Sequence, residues 1–466
     1  MKNCQKSRFD PKLVRQLGLF DSTMMMVGIV IGSGIFLTTG IMAKSIPSAS
    51  LILLAWIVGG LITLAGALTY AELGAAMPEA GGQYVYLREA YGPLSGFLFG
   101  WVLFLVTMAG SIAALGIAFA EYFGYFFPFL STKKIIFSTA IKVFKNSYEY
   151  SLSIGQVVAI AVIIFLSAFN YIGVVFGKII QNIATVIKIG TLLVFIFFGF
   201  MIGKGTSIDF TVNPTGLSIG QLIIGFGVAL VAVTWAFDGW NNISYAAGEI
   251  KNPKRNLPFS LVVGTVIITV LYALTNYVYL YALPIDEMTG VVRIAEKAAT
   301  SLYGSASAGL LSAAVLISVF GALNGAIFVG SRVYYAMASD KLFFRRVAKV
   351  HPRFRTPAFA ILIQAVWACI LTVSGTFEQL FTYVVFITVL FYIATAASVF
   401  TLRKKYPDLP RPYKTWGYPV IPIVFIIASF SILLNTLIEK PVESLAGLGF
   451  TIIGIPVYYL WKKKGT

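Results

Sequence analysis

The chain has 466 residues, of which 58% are hydrophobic and 11% are charged, with a formal net charge of +17. This composition excludes a water-soluble globular protein, which could not bury so much apolar surface. It also excludes a nucleic-acid-binding protein, because the basic residues gather in short connectors such as 341–355 and 403–414 rather than on a face interleaved with aromatic residues. An integral membrane protein is therefore predicted.

The apolar runs predict twelve membrane-spanning helices, because about 20 apolar residues cross a bilayer core of roughly 30 Å. The predicted spans are 20–44, 50–77, 93–128, 153–171, 178–202, 218–248, 257–282, 306–338, 357–375, 379–402, 418–437 and 443–461. Twelve spans put both termini on one side, and the excess of Lys and Arg on that side predicts that it faces the cytoplasm. The first span lacks a small-residue cleavage site, so a retained helix of a multi-pass cell-membrane protein is predicted rather than a signal peptide.

Three glycines, Gly28, Gly32 and Gly34, interrupt the first predicted span. Non-helical backbone is tolerated at membrane depth only where it is buried in protein or lines a watery cavity, so the stretch from Gly32 through Ser33 to Gly34 predicts a cavity. The half-helix that restarts near Ile35 would present free N–H groups and a positive dipole end, which bind a carboxylate. The alternative is close helix packing, because Gly28-x-x-x-Gly32 also fits the small-xxx-small pattern.

The loop 131–153, which the topology puts on the outer side, carries four lysines and only one acidic residue, Glu149. Such a basic segment departs from the charge pattern of the other outer loops. It is predicted to be an inserted amphipathic piece, and two interpretations stay open. Either it is a solvated loop, or it is an external docking surface for a partner or for anionic headgroups.

Two basic residues lie within predicted spans and away from their ends. Lys188 lies about ten residues into the fifth span, roughly 15 Å from its start, which is too deep for snorkelling. An ionisable residue at such depth is expected to face the bundle interior and to pair with carbonyls or a carboxylate, and its candidate partners are the broken first helix and Tyr272. Arg332 lies within two turns of a basic connector and is predicted to be an interfacial anchor.

The sixth span carries a carboxylate and two carboxamides, Asp238, Asn241 and Asn242, just after Trp235. Its first half is predicted to end near Trp235 and to offer unpaired carbonyls to an ammonium group. Together with the amides of the first break, these carbonyls would bind a zwitterion through backbone atoms alone. Asp238 itself has three possible roles: it accepts from the substrate ammonium, it titrates during transport, or it caps the restarting helix at Gly239.

The two interrupted spans hold the same position in two successive five-helix halves. An odd number of spans per half inverts the second copy, so a pseudo-twofold axis in the membrane plane is expected. The predicted division is a cytoplasmic tail at 1–19, a first repeat at 20–204, an inverted second repeat at 205–405, and two accessory helices with a cytoplasmic C-terminus at 406–466. Matching breaks near the midplane point to a transporter site.

The sequence offers no grouping of residues suited to catalysis or metal binding. Cys4 lies in the N-terminal tail and Cys369 inside an apolar run, so a disulfide or a metal site between them is not expected. The single histidine, His351, lies in a basic loop, and no nucleophile–base pair is recognisable. No enzymatic activity, no metal and no cofactor is therefore predicted.

Short motifs occur along nearly the whole chain, and their order and spacing are specific as a set. They are G-S-G-I-F at 32–36, Y-A-E-L at 70–73, P-E-A-G-G-Q-Y at 78–84, F-D-G-W-N at 237–241, G-E-I-K-N-P-K-R-N-L-P at 248–258, N-G at 324–325, S-R-x-x-Y-A-M-A at 331–338 and R-P-Y-K-T-W-G-Y-P at 411–419. On these motifs the chain resembles the amino acid–polyamine–organocation superfamily, in its L-type amino acid transporter branch, and is similar to bacterial serine/threonine-type exchangers. The resemblance implies an all-α, leucine-transporter-like fold of five plus five inverted helices, with broken first and sixth helices and two appended ones, and alternating access around a midplane site.

The resemblance also implies a substrate-binding set, carried over by match to the motifs. The set is Val30, Gly32, Ser33, Gly34, Ile35, Trp235, Ala236, Asp238 and Asn241. In it, the N–H groups of residues 33–35 hold the substrate carboxylate, while the carbonyls of Val30, Trp235 and Asp238 receive the amine. Trp235 is also expected to act as an aromatic gate over the substrate.

Lys188 matches the fifth-span lysine of the family, which stands where sodium-coupled relatives bind an ion, and this argues against sodium dependence. Lys188, Trp235 and Tyr272 are assigned to coupling and gating. The leading hypothesis is a sodium-independent exchanger or uniporter of neutral L-amino acids, with small ones such as serine, threonine or alanine as first candidates. The alternatives are proton-coupled uptake, with Lys188 or Asp238 titrating, and a membrane-embedded enzyme or a receptor that binds an amino acid without moving it.

Two partner predictions follow from a departure from the family pattern. Animal members of this branch are disulfide-linked to a glycoprotein through a cysteine in the loop after the third span, and the loop 131–153 contains none. No disulfide-linked heavy subunit is therefore expected. The chain is expected to be a monomer whose partners are amino acids and the lipid bilayer.

Overall fold

The computed structural model describes residues 13–143, 146–201, 205–213, 216–374 and 377–465. Cys4, and with it most of the predicted N-terminal tail, lies outside the described residues. Within them, eleven helices are long and apolar enough to cross a membrane, and the shorter apolar helix Ala358–Ser374 takes the place of the ninth predicted span. The prediction of a polytopic helical membrane protein is confirmed.

The spans follow one another as predicted, and the first and sixth are each formed from two pieces. Their bounds are Leu19–Val30 with Gly34–Ser45, Ala49–Ala76, Pro93–Phe126, Ile154–Ile172, Val174–Met201, Ile219–Phe237 with Asn242–Glu249, Pro253–Ala282, Ala306–Ser339, Ala358–Ser374, Phe377–Lys405, Val420–Glu439 and Pro441–Gly465. Leu17, near the described start of the chain, pairs with Ile250 after the sixth span, and Trp461, near its end, stacks on Phe343 after the eighth. Both described ends therefore lie on the same side of this bundle, called the terminal side below.

The break in the first span begins where the backbone hydrogen bonds change partner. The N–H of Ile31 still bonds the carbonyl of Val27 at 2.9 Å, but the N–H of Gly32 turns to the carbonyl of Val30 at 2.7 Å. The helix restarts at Gly34. Because this stretch is buried, it satisfies the condition for irregular backbone at membrane depth.

The break in the sixth span lies slightly later than predicted. The α-helix continues to Phe237 rather than ending near Trp235, and the chain resumes after a turn as the 3-10 helix Asn242–Glu249. Gly239 adopts φ +92° in the turn, a conformation that favours glycine. The two breaks touch, since a Cβ atom on Gly34 would lie 2.4 Å from the Cα of Ala236. Only glycine fits at position 34 without a backbone shift.

The third span contains an irregularity that the sequence did not reveal. Between Pro93–Val102 and Met108–Phe126 runs a π-helical turn, Leu103–Thr107. Such turns insert a residue into an α-helix and are frequent at functional sites. The helix beyond the turn therefore has a different rotational register from the helix before it.

The loop 131–153 contains a β-hairpin, an exception to the all-α prediction. Strand Ile135–Val143 pairs antiparallel with strand Asn146–Ser153. Two short helices, Ile285–Met288 and Ile294–Tyr303, lie between the seventh and eighth spans, on the side of the bundle opposite the terminal side. The predicted choice between a solvated loop and a docking surface stays open.

Arg332 is not an interfacial anchor, and this prediction was wrong. The side chains of Arg332 and Glu249 are both 0% exposed, and they form two parallel hydrogen bonds, Nε to Oε2 at 2.9 Å and Nη2 to Oε1 at 3.1 Å. The eighth span ends at Ser339, one residue beyond the predicted end, so it is burial against Glu249 and not depth along the helix that removes Arg332 from the interface. This ion pair connects Glu249, the last residue of the second piece of the sixth span, to the eighth span.

Candidate functional site

A chamber lies between the two helix breaks, with about 410 Å³ of empty space. Residues of the first, third, sixth and eighth spans line it. They are Ile29, Val30, Gly32, Ser33, Gly34, Met108, Ser111, Leu115, Trp235, Asp238, Gly239, Asn242 and Ala326. A second chamber of about 370 Å³ shares Met108, Ser111, Asp238 and Asn242 with it and extends toward the terminal side.

The restart of the first span offers hydrogen-bond donors to the chamber. Among the residues that the structure describes, the N–H groups of Ser33, Gly34 and Ile35 donate to no backbone carbonyl, as expected for the first turn of a helix. The hydroxyl of Ser33 is also without a partner, although the residue is only 1% exposed. Because a buried unpaired polar group costs about 1–3 kcal/mol, these donors suit an anionic group of a ligand.

Lys188 binds the opposite side of the first break. Its Nζ donates to the carbonyl oxygens of Gly28 at 2.6 Å and Ile31 at 2.7 Å, and the residue is 1% exposed. Ser318 of the eighth span donates to the same Ile31 carbonyl at 2.9 Å. Of the two kinds of partner that the sequence allowed, the structure shows carbonyls, and within the described residues no carboxylate pairs with Lys188. The ammonium thus stabilises the negative end of the first half-helix.

Tyr272 of the seventh span connects the two breaks. Its hydroxyl lies 2.9 Å from the carbonyl oxygen of Val30 and 3.2 Å from that of Ala236, and it can donate its proton to either. The Val30 carbonyl, predicted to receive the substrate amine, therefore already has donors. The neighbouring carbonyl of Ile29 accepts no backbone bond from beyond its helix in the described chain, and Ile29 lines the chamber.

Asp238 lines both chambers and is held from two directions. Its Oδ1 accepts from the hydroxyl of Tyr392 at 2.9 Å, and its side chain also bonds the N–H of Gly239. The second contact is the one expected if Asp238 caps the turn. The other two roles predicted for Asp238, acceptor of the substrate ammonium and titrating group, remain predictions.

Asn241 lies behind the chamber rather than in its lining. It is 0% exposed, its Nδ2 donates to Oε1 of Gln83 at 2.8 Å, and its Oδ1 lies 3.2 Å from the hydroxyl of Tyr392. Asn242, the next residue, lines the chamber instead. Ile35 and Ala236, also predicted to bind substrate, contribute backbone next to the chamber but do not line it.

Gln83 was not predicted as a functional residue. It is the first residue of the helix Gln83–Tyr91, which follows the second span on the terminal side. Its Nε2 donates to the carbonyl of Phe391 at 3.1 Å, and its Oε1 accepts from Asn241 and, at 3.2 Å, from Tyr245. One buried amide therefore joins this helix to the sixth and tenth spans. The only signal in the sequence was its place in the motif at 78–84.

Third-span and eighth-span residues complete the chamber. Met108, Ser111 and Leu115 contribute a thioether, a hydroxyl and an aliphatic group, and Ala326 contributes a methyl group. Trp235, predicted to be a gate, is 7% exposed and lies in the same lining. Apart from Asp238, the described lining carries no ionisable side chain.

The comparisons with known proteins concern nearly the whole chain. The family described as "Amino acid permease" matches residues 17–460. The chain is 33% identical to the serine/threonine exchanger SteT of Bacillus subtilis, over 98% of each protein. It is 29% identical to the human b(0,+)-type amino acid transporter 1, over 96% of this chain and 88% of the relative, and 30% identical to the human large neutral amino acids transporter small subunit 2, over 97% and 82%.

Proposed function

Because the chain belongs to the amino acid permease family, we propose that it exchanges neutral L-amino acids across the cytoplasmic membrane by sodium-independent alternating access. The family and the relatives are transporters and not enzymes, and exchange is the activity in the name of the B. subtilis relative. The preference for neutral substrates, the independence from sodium and the orientation in the membrane are the new parts of this proposal.

The observation that carries the proposal is the pair of unsatisfied backbone ends at one chamber. The free N–H groups of Ser33, Gly34 and Ile35 and the unpaired Ser33 hydroxyl suit a carboxylate. Asp238 and the free carbonyl of Ile29 face the same chamber and suit an ammonium group. A ligand that carries an ammonium and a carboxylate group on the same carbon atom fits this arrangement, and an α-amino acid is such a ligand.

Sodium independence is supported by the position of Lys188. Its ammonium already occupies the carbonyl oxygens of Gly28 and Ile31, at 2.6 and 2.7 Å. Carbonyl oxygens of this kind are what a sodium ion would need. A second cation beside a buried ammonium is repelled strongly in a medium of low dielectric constant.

The preference for small neutral substrates is supported by the lining. A cationic substrate side chain needs an acidic partner of its own, and Asp238, the one ionisable residue of the described lining, is already assigned to the α-ammonium group of the substrate. Met108, Leu115 and Ala326 surround the remaining space together with the Ser111 hydroxyl. Serine, threonine and alanine are therefore the first substrates to test.

The orientation and the partners are proposed from charge and composition. The terminal side carries the basic connectors 341–355 and 403–414, so it is assigned to the cytoplasm by the positive-inside rule. The loop 131–153 has no cysteine, so transport is proposed to need no disulfide-linked partner. A monomer is the proposed working unit.

The experiment is uptake of radiolabelled L-serine into proteoliposomes that contain the purified chain. Liposomes preloaded with unlabelled L-serine are compared with empty ones, in sodium and in choline buffer, with and without an imposed inward proton gradient. Competition by the twenty amino acids then measures selectivity.

Exchange predicts uptake that requires internal amino acid and is equal in both buffers. Uptake into empty liposomes driven by the proton gradient would replace exchange with symport. Binding of L-serine without uptake would assign the chain to the receptor class. Uptake that requires sodium would contradict the role given to Lys188.

A further inference from the structure

A groove lies on the terminal side, where the eighth span and the twelfth span end. It is lined by the loop that follows the eighth span and by the last turns of the twelfth, with about 1490 Å³ of empty space open to its surroundings. The lining residues are Ala338, Lys341, Phe343, Phe344, Arg345, Val457, Leu460 and Trp461. The groove is separate from both chambers at the helix breaks, with which it shares no residue.

One wall of the groove is aromatic and aliphatic. The ring of Trp461 is nearly parallel to that of Phe343, at 6.0 Å and 8° between planes, and it meets Phe344 edge-on at 4.9 Å. Phe344 is 54% exposed and Leu460 63% exposed. Exposed aromatic side chains at the ends of membrane spans are typical of the membrane–water interface, where they contact lipid acyl chains.

The rim of the groove is basic. Lys341 and Arg345 are exposed, and neither forms an ion pair with a carboxylate within the described residues. The acidic neighbour in the sequence, Asp340, is already bonded to Arg88 and, at 2.7 Å, to the hydroxyl of Tyr84. The positive charge of the rim is therefore not neutralised by the protein.

We propose that this groove binds an anionic glycerophospholipid of the cytoplasmic leaflet. Lys341 and Arg345 contact the headgroup phosphate, and an acyl chain lies along Phe344, Leu460 and Trp461. Basic pockets between membrane helices on the cytoplasmic side bind such headgroups. A soluble phosphate compound would gain nothing from the apolar wall. The assignment to this leaflet rests on the proposed orientation, whereas binding itself depends on neither orientation nor transport.

The test is lipid retention by the full-length protein, delipidated in a mild detergent and titrated with dioleoyl phosphatidylglycerol or dioleoyl phosphatidylcholine. Bound lipid is counted by native mass spectrometry. The variant is Lys341→Gln with Arg345→Gln, and the matched control is Lys349→Gln with Lys404→Gln, which removes two exposed charges from the same side outside the groove. Melting curves check that both variants fold.

The native chain and the control are expected to prefer the anionic lipid, and the groove variant is expected to bind it about 25-fold more weakly, roughly five-fold per charge lost. Equal retention by the groove variant and the control overturns the proposal, as does equal binding of the two lipids by the native chain. Displacement of the lipid by millimolar glycerol phosphate would also overturn it, because the groove would then be a simple anion site.

Discussion

The two helix breaks are held in place by different kinds of hydrogen bond. At the break in the first span, side chains of other helices bond backbone carbonyls. At the break in the sixth span, the side chains of the break bond side chains of other helices. Lys188, Ser318 and Tyr272 occupy carbonyls of the first break and leave its N–H groups free. In the sixth, Asp238 accepts from the hydroxyl of Tyr392, and Asn241 donates to Gln83. The first break is thus a fixed binding surface, while the sixth is connected by its side chains to the terminal side.

This difference suggests a division of labour in transport. A fixed surface recognises the substrate in the same way in each conformation, because its donors are presented by backbone. Side-chain hydrogen bonds can exchange partners. We therefore expect the sixth span to change its contacts with the helices around the second chamber when substrate binds. Four substitutions test this division, from the largest expected effect to the smallest.

The second half of the sixth span depends most on one ion pair. In Arg332→Met, Glu249 is left buried and unpaired, so the free energy of unfolding is expected to fall by about 3–5 kcal/mol. Replacing both residues, as Glu249→Leu with Arg332→Met, is expected to recover most of the loss. Thermal melting in detergent measures both. The exposed pair of Lys297 with Glu287 is the control, and Lys297→Gln should change stability by less than about 1 kcal/mol. A single Arg332 variant as stable as the native chain would contradict the anchoring role.

The first break depends on the ammonium of Lys188. Lys188→Met removes the donor to two buried carbonyls, at about 1–3 kcal/mol each, so exchange in proteoliposomes is expected to fall about 100-fold in a protein that still folds. The control is Lys178→Met on the same helix, where the lysine pairs with Asp21 at 3.1 Å and is partly exposed. Rates of Lys188→Met within two-fold of the control, roughly 0.4 kcal/mol, would reject the role of this residue.

The contact between the breaks depends on Gly34. A methyl group there meets the backbone of Ala236 at 2.4 Å, and overpacking of this kind costs about 1–3 kcal/mol. Gly34→Ala is therefore expected to weaken substrate binding about 20-fold, measured by substrate-induced thermal stabilisation. Gly190→Ala, where a Cβ meets nothing within 4 Å, should bind as the native chain does. The same loss in both variants would point to a general effect of alanine.

The connection of the sixth span to the terminal side depends on Gln83. Gln83→Leu loses its bonds to Asn241 and Phe391, each worth about 0.5–1.5 kcal/mol, and is expected to shift the population about ten-fold toward a chamber open on that side. The shift is measured by the rate at which an impermeant reagent alkylates Thr388→Cys in the second chamber, with Cys4 and Cys369 replaced by Ser.

The control for Gln83→Leu is Gln156→Leu, which replaces a buried glutamine that bonds the carbonyl of Thr372. An unchanged alkylation rate would show that Gln83 does not hold the chamber closed on the terminal side.

The fold was largely predictable because its signals are local. Twelve apolar runs, the glycines of the first span and the polar cluster after Trp235 are all visible in the order of residues, and Lys188 was singled out by depth alone. Arg332 was misjudged because its partner, Glu249, lies in a different span, and the distance of Arg332 from the end of its own helix carries no information about that pair. Asn241 and Asn242 are adjacent, and only the geometry of the turn decides which of them lines the chamber.

The third-span residues of the chamber could not be predicted for a different reason. Met108 and Ser111 follow the π-helical turn, and a helical wheel drawn from Pro93 assumes a uniform 3.6 residues per turn. The surplus residue displaces everything after it, and the sequence of the turn, L-F-L-V-T, carries no glycine or proline that marks it. The sequence alone therefore could not show which residues of the third span face the chamber.

The number of residues in that turn also determines which residues of the third span face the chamber. Deleting one residue within Leu103–Thr107 would convert the stretch to ordinary α-helix and swing Met108, Ser111 and Leu115 by about 100° around the helix axis. Three wall positions would be exchanged at once for their neighbours. In this span, a change of one codon in length reshapes the space beside the ligand more than a point substitution can.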